Sequence, residues 1–201
     1  CGDSYYVSLA LAVYELVRGE RAMVLGDANG LREIRVGDRS IPTDEGGKIT
    51  INFRGPPATF ARVSAGDLLA GRLAPGQLEG AIALVGPTEV GLGDTQTTPF
   101  PGVFPGVEVH ANVLDNLLAG DGIRRDDGFV VAELTLIILI GLLLIFVIPR
   151  TKGVLMSFVF AGGLAVFLVI MAIVAFVEYG LWFNLIYPLI TVAGVYLAVE
   201  V

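Results

Sequence analysis

An α/β domain of mixed sheet, followed by three apolar helices that cross a membrane, is what this 201-residue chain is expected to form. Three features carry that expectation. Residues 129–148, 154–177 and 181–199 contain a single charge, Glu133. Each segment is close to the ~20 residues that a helix needs to cross a bilayer. Residues 1–128 are polar and acidic, with 11 Lys/Arg against 17 Asp/Glu, and within them short apolar runs alternate with helical patterns, as in an α/β domain. Buried core helices are the competing reading of the apolar segments. Such helices usually keep a polar stripe, which these lack.

The breaks between the apolar segments set an orientation. The first, residues 149–153, carries Arg150 and Lys152, and the second is Glu178, Tyr179 and Gly180. Basic residues in short loops stay in the cytoplasm. Residues 1–128 are therefore expected outside and Glu200 inside. Tyr179 and Trp182 beside the outer turn suit the headgroup zone. Gly162 and Gly163 offer close helix approach, and Pro188, beside Asn184 and Tyr187, offers a kink. Glu133 lies in the first turns of its segment, at the outer interface.

In the polar part, Asp3 or Ser4 is placed to cap a helix over residues 5–17, with Gly19 as its stop. Residues 23–53 read as a β-meander with strands at 31–36 and 48–53. Its turns fall at Gly37-Asp38 and at residues 44–47. Ser64 and Asp67 have capping-box spacing for a short helix ending at Gly71. Residues 81–85, wholly apolar, read as a strand covered on both faces. A loop rich in Gly, Thr and Pro follows from Gly86 to Gly106. It leads into a strand at 107–110 and a helix at 111–118 closed by Gly120.

Ligands of open α/β sheets sit at the carboxyl ends of strands. Both polar clusters lie at such ends. The candidate binding residues are Thr88, Asp94 and Thr97 on the loop, with Glu108, His110 and Asn112 at the second strand and corner. Glu108 and His110, two apart on a strand, would share a face. The plainer alternative has Asp94 and Thr98 holding the loop while His110 and Asn112 cap the next helix. A metal site from Asp94, Glu108, His110 and Asp115 is chemically allowed, and would make the chain a metal-assisted hydrolase. Against it stands a single histidine with no tandem ligand motif. None of Ser4, Ser8, Ser40 and Ser64 stands in a nucleophile elbow. The Gly91–Asp94 run matches neither a dinucleotide fingerprint nor a P-loop. No cofactor is expected, and the acidic balance gives no reason to bind nucleic acid. The lone cysteine, Cys1, excludes an internal disulfide framework. A transporter subunit or passive anchor would be the third reading; polar groups deep in the spans are few for transport.

Several runs resemble one family. INFRGPP at 51–57, ALVGPTEVGLGDTQTTPF at 83–100 and PGVEVHANVLDNLLAGDGIRR at 105–125 are similar to the type-2 CHASE domain, and YYVSLALAVYEL at 5–16 is similar to the helix preceding those motifs. That family comprises extracytoplasmic sensors of bacterial adenylate cyclases, histidine kinases and Ser/Thr kinases. The resemblance implies a sensor at 1–128, three spans at 129–201, an inner-membrane location and a cytoplasmic cyclase or kinase output. It implies a homodimer too, since cyclase output requires two chains. The signal, a small molecule or an envelope component, is left unnamed. The chain has no signal peptide, so the family's first span and the first half of its sensor are expected upstream of Cys1. A lipid-modified start at Cys1-Gly2 is the alternative.

Overall fold

The computed structural model describes residues 6–27, 30–44, 46–88, 94–125 and 127–200. Ser8, not Asp3 or Ser4, opens the first helix, α1 (Leu9–Arg18): its hydroxyl accepts from the Leu11 amide at 3.3 Å. Asp3, Ser4 and Tyr5 lie outside the described residues, and the helix starts later than residue 5. Gly19 ends it with φ 69°, as the sequence suggests.

A three-stranded sheet follows in the order β1 (Ala22–Asp27), β2 (Gly30–Val36), β3 (Arg39–Pro42). Gly37 and Asp38 alone join β2 to β3. Gly37 has φ 60° and Asp38 has no positive φ, the signature of a II′ hairpin turn, whose first position favours glycine. The strand expected at 48–53 is not formed. That stretch makes one isolated bridge, Thr50 to Ile123, and its Asn52 amide and carbonyl are paired in another way, described below. The expected strand at 81–85 is also absent. Ala81, Ile82, Ala83 and Val85 are exposed, because no strand among the described residues runs beside them to cover an apolar face. The short helix α2 (Ala65–Leu69) is present, although the Ser64 hydroxyl makes no cap bond.

Residues 107–110 are helical, not extended. β4 (Thr95–Gln96) pairs antiparallel with β5 (Phe104–Pro105), and α3 (Gly106–Ala119) begins directly after Pro105. Four alternating residues are too few to separate a strand from a helix. Here Pro105 at the N-cap and Glu108 in the first turn favour the helix, since an acid there complements the helix dipole.

The chain divides into two compact units: Cys1–Met23, Arg35–Arg39 and Ile51–Asp121 form one, and Val24–Ile34, Ser40–Thr50 and Gly122–Val201 form the other. In the first, α1 packs on α3. Ala10, Leu11 and Tyr14 of α1, with Leu114 and Leu117 of α3, are buried. Phe104 is sealed in beside Phe53, their rings edge to face at 5.4 Å.

The second unit holds the apolar helices α4 (Asp127–Val147), α5 (Val154–Tyr179) and α6 (Ile186–Glu200). A 3-10 turn, Ile148–Arg150, follows α4, and the Arg150 guanidinium lies 3.7 Å from the Phe146 ring centre. α6 packs against both α4 and α5 around Ile140, Leu144, Ile148, Ala161, Leu168 and Val192. Two helical stretches, Gly128–Arg150 and Val154–Tyr179, are long and apolar enough to cross a membrane. Only 22% and 11% of their most apolar windows are buried, which sets them apart from core helices of a soluble domain. The third apolar segment is helical over only 15 residues, because residues 181–185 are held in an extended lead. Two expectations change. A Cβ on Gly162 or Gly163 would meet nothing within 4 Å, so this pair makes no close helix contact within the chain. Pro188 is the third residue of α6. A first-turn amide has no helical partner to lose, so Pro188 does not break the helix.

Candidate functional site

α3 is where the candidate residues meet. Glu108, Asn112 and Asn116 are spaced i, i+4, i+8 and form one stripe along it. All three are buried: Glu108 at 5%, Asn112 at 1% and Asn116 at 4% exposure. An apolar stripe would be expected to lie there. Instead the three side chains satisfy the backbone of residues 52–58. The Asn116 side-chain oxygen accepts from the Asn52 amide at 2.8 Å, while its Nδ2 donates to the Asn52 carbonyl at 2.9 Å. The Asn112 oxygen accepts from the Arg54 amide at 2.9 Å, and its Nδ2 donates to the Glu108 carbonyl at 2.8 Å. The Glu108 carboxylate accepts from the Ala58 amide at 3.2 and 3.1 Å and from Arg62 Nε at 2.7 Å. Side chains of a helix thus take the place of a neighbouring strand, and each buried backbone group that they reach is satisfied.

The turn at the end of this segment is strained in the service of that contact. Ala58 has φ 71°, a left-handed conformation that costs a non-glycine residue roughly 1–2 kcal/mol. Its amide is thereby presented to Glu108. Arg54 adds a charged clamp: it binds Asp115 through Nε and grips Asp121 through both terminal nitrogens at 2.6 and 2.7 Å. The hydrogen bonds from Arg54 hold the Asp121 carboxyl below the usual carboxylate range, against the desolvation that opposes them. In turn, the Asp121 hydrogen bond raises the Arg54 pKa, and the Asp115 hydrogen bond adds to it, against desolvation, which lowers it.

The opposite face of α3 is differently occupied. The Asp94 carbonyl accepts from the Gly106 amide at 3.0 Å, and the Asp94 carboxylate lies directly over the Gly106 α-carbon, where a Cβ would collide with it. Gly86 is pressed against Val107 as closely: a Cβ on Gly86 would come within 2.7 Å of the Val107 Cβ. Glycine is required at both close approaches. They bring Gly86 and the Asp94 carboxylate to the first turn of α3. His110 stands one turn on from Gly106, on that same side, and is half-buried. Thr88, Asp94 and Thr97 are exposed.

The six candidate residues therefore fall into two groups. Glu108 and Asn112 are engaged by the chain's own backbone and by Arg62. Asp94 and His110 share the other side of α3, with Thr88 and Thr97 on the chain segments leading to and from the loop; residues 89–93 of that loop lie outside the described residues. Because residues 107–110 are helical, Glu108 and His110 point to opposite sides and do not share a face. That separation removes the geometry on which a shared metal site would rest. Among the described residues no three His, Cys, Asp or Glu side chains converge to hold an ion. Asn116, Arg54 and Arg62 complete the network without having stood among the candidates.

Comparison with known proteins gives one finding. Residues 2–148 match the family described as the CHASE2 domain. Searches of curated proteins and of solved structures gave no match. The matched stretch contains the whole Asn-lined α3, the 52–58 segment that it holds, and the first apolar helix. This chain belongs to the CHASE2 family, the sensory extracellular domains of signalling receptors.

Proposed function

We propose that the chain is the input module of a membrane-bound bacterial receptor. Residues 1–128 meet a small-molecule or envelope signal outside the cell membrane. Residues 129–201 pass the change inward to a cyclase or a kinase, in a homodimer when the output is a cyclase. Family membership is the observation that carries this reading. The membrane part is supported by the lipid-like exposure of α4 and α5. As a third crossing, α6 rises about 22 Å against a hydrocarbon core of about 30 Å. The extended lead before it makes up part of the remainder, and in it the Leu181 and Trp182 amides donate to the Ala175 and Arg124 carbonyls.

The signal would be taken beside the first turn of α3, by Asp94 and His110 with Thr88 and Thr97. Glu108 and Asn112 support it from behind. A ligand acts only by favouring one of two arrangements, with a coupling of about 1–3 kcal/mol.

Orientation is tested with single cysteines in a Cys1→Ser background. Val85 is 91% exposed, so V85C is expected to react with a membrane-impermeant maleimide in intact cells. K152C, in the basic loop, is expected to react only after the membrane is opened. The reverse pattern overturns the reading. For the site, Asp94→Ala, at an exposed side chain, is expected to leave thermal stability within about 0.5 kcal/mol, and His110→Ala, at a half-buried one, to cost about 1 kcal/mol. Each should abolish the thermal shift that a signal molecule gives in a screen of the full chain in nanodiscs. Hits that shift both variants as they shift the parent would remove these residues from the site.

A further inference from the structure

The outer end of the helical unit contains a junction that no reading of the spans as three separate rods would include. Residues 122–125, which enter α4, run beside the lead into α6. Arg124 and Leu181 form a parallel bridge: the Arg124 amide donates to the Gly180 carbonyl at 2.9 Å, and the Trp182 amide donates to the Arg124 carbonyl at 3.2 Å. Next, the Phe129 and Phe183 rings meet edge to face at 5.1 Å. Deepest, two turns into α4, the Glu133 carboxylate accepts from the Asn184 amide at 2.6 Å and faces Arg125 at 3.4 Å. Asn184 in turn caps α6, its side-chain oxygen accepting from the Ile186 amide at 3.2 Å.

The three contacts advance together, 124 to 181, 129 to 183 and 133 to 184. Glu133 is only 7% exposed. A buried carboxylate is costly unless its partners hold it. One of these partners precedes α4 and the other opens α6, so the charge is satisfied only while both stay in place.

We propose that Glu133 is the positioning residue of a coupling junction, which makes the outer ends of α4 and α6 move as one piece with residues 122–125. A displacement entering at Gly122 then reaches α6 directly and does not travel around through α5. The inference stands on these contacts alone. Its test needs no signal molecule, so its failure and that of the sensor reading are separable.

The measurement is hydrogen exchange of single amides in the full chain in nanodiscs. Losing a hydrogen bond to a charged group, E133Q is expected to raise exchange at Arg124, Trp182 and Asn184 about tenfold. Ile140 and Leu168, in the middle of the unit, should keep their rates. Arg125→Gln, on the stretch before α4, is expected to give the same local rise. Unchanged rates at the three junction amides overturn the proposal. So does a rise spread evenly over α4 and α5 in both variants, since Glu133 would then support the bundle generally. Cysteine pairing gives an independent check. In a Cys1→Ser background, R124C with L181C stands at bridge partners, close enough for a disulfide. Oxidation is expected to link them, at least fivefold more slowly once E133Q is added. Equal rates with and without E133Q count against the junction.

Discussion

Replacing Asn116 with leucine is expected to destabilise the first unit by about 2–4 kcal/mol. The side chain is nearly isosteric, so little packing is lost. What is lost is a pair of hydrogen bonds, to the Asn52 amide and to the Asn52 carbonyl. Each buried backbone group left without a partner costs roughly 1–3 kcal/mol, and residue 116 is 4% exposed, so water cannot replace both bonds cheaply. Asn112→Leu should cost less, about 1–3 kcal/mol. It orphans the Arg54 amide, whereas the Glu108 carbonyl that it also leaves is a helix-interior acceptor with its own backbone donor. Denaturation of the full chain, followed through a probe in the first unit, measures the difference. Equal and negligible losses in both variants would mean that residues 52–58 are held by something other than the amides of α3.

That network marks the limit of what could be read from the residues alone. The apolar helices were legible because hydropathy is a local property, summed over some twenty neighbours. The turn at Gly37-Asp38 was legible for the same reason, since its chemistry lies in two adjacent residues. Residues 48–53 were not. Their alternation is that of a strand, but a strand is defined by its partner. Here the partner is a set of asparagine side chains some sixty residues away. The misreading of residues 107–110 compounded this, because placing Glu108 and His110 on one face suggested a pocket where the helix separates them. A usable signal was present. Glutamate, asparagine and asparagine at i, i+4, i+8, on a helix whose other side buries Leu114 and Leu117, form a polar stripe that must be paired if it is buried. The exposed residues 81–85 show the converse, for an apolar run becomes a covered strand only if something lies beside it.

Val166→Lys is the substitution that most sharply separates a membrane helix from a soluble one. Val166 lies at the middle of α5, and 60% of its surface is open. If that surface faced water, lysine there would shift stability by no more than about 0.5 kcal/mol, like most exposed substitutions. If it faces lipid tails, the ammonium group must be carried to the centre of the hydrocarbon. Insertion scales price this at about 2.5–3.5 kcal/mol, beside the small favourable contribution that valine gives up. At 1.4 kcal/mol for each factor of ten, the insertion equilibrium of α5 is expected to fall by roughly a hundredfold. Snorkelling offers little relief, because a lysine at the midpoint is about as far from either interface as it can be. The same residue placed at Leu155, 78% exposed in the first turn of α5, can reach the headgroups and should cost far less. A glycosylation-reporter assay on α5 reads both variants on one scale. A difference of about 2 kcal/mol or more between V166K and L155K fits a helix surrounded by lipid. Equal small effects would place α5 in water and leave its length and hydropathy without a membrane to explain them.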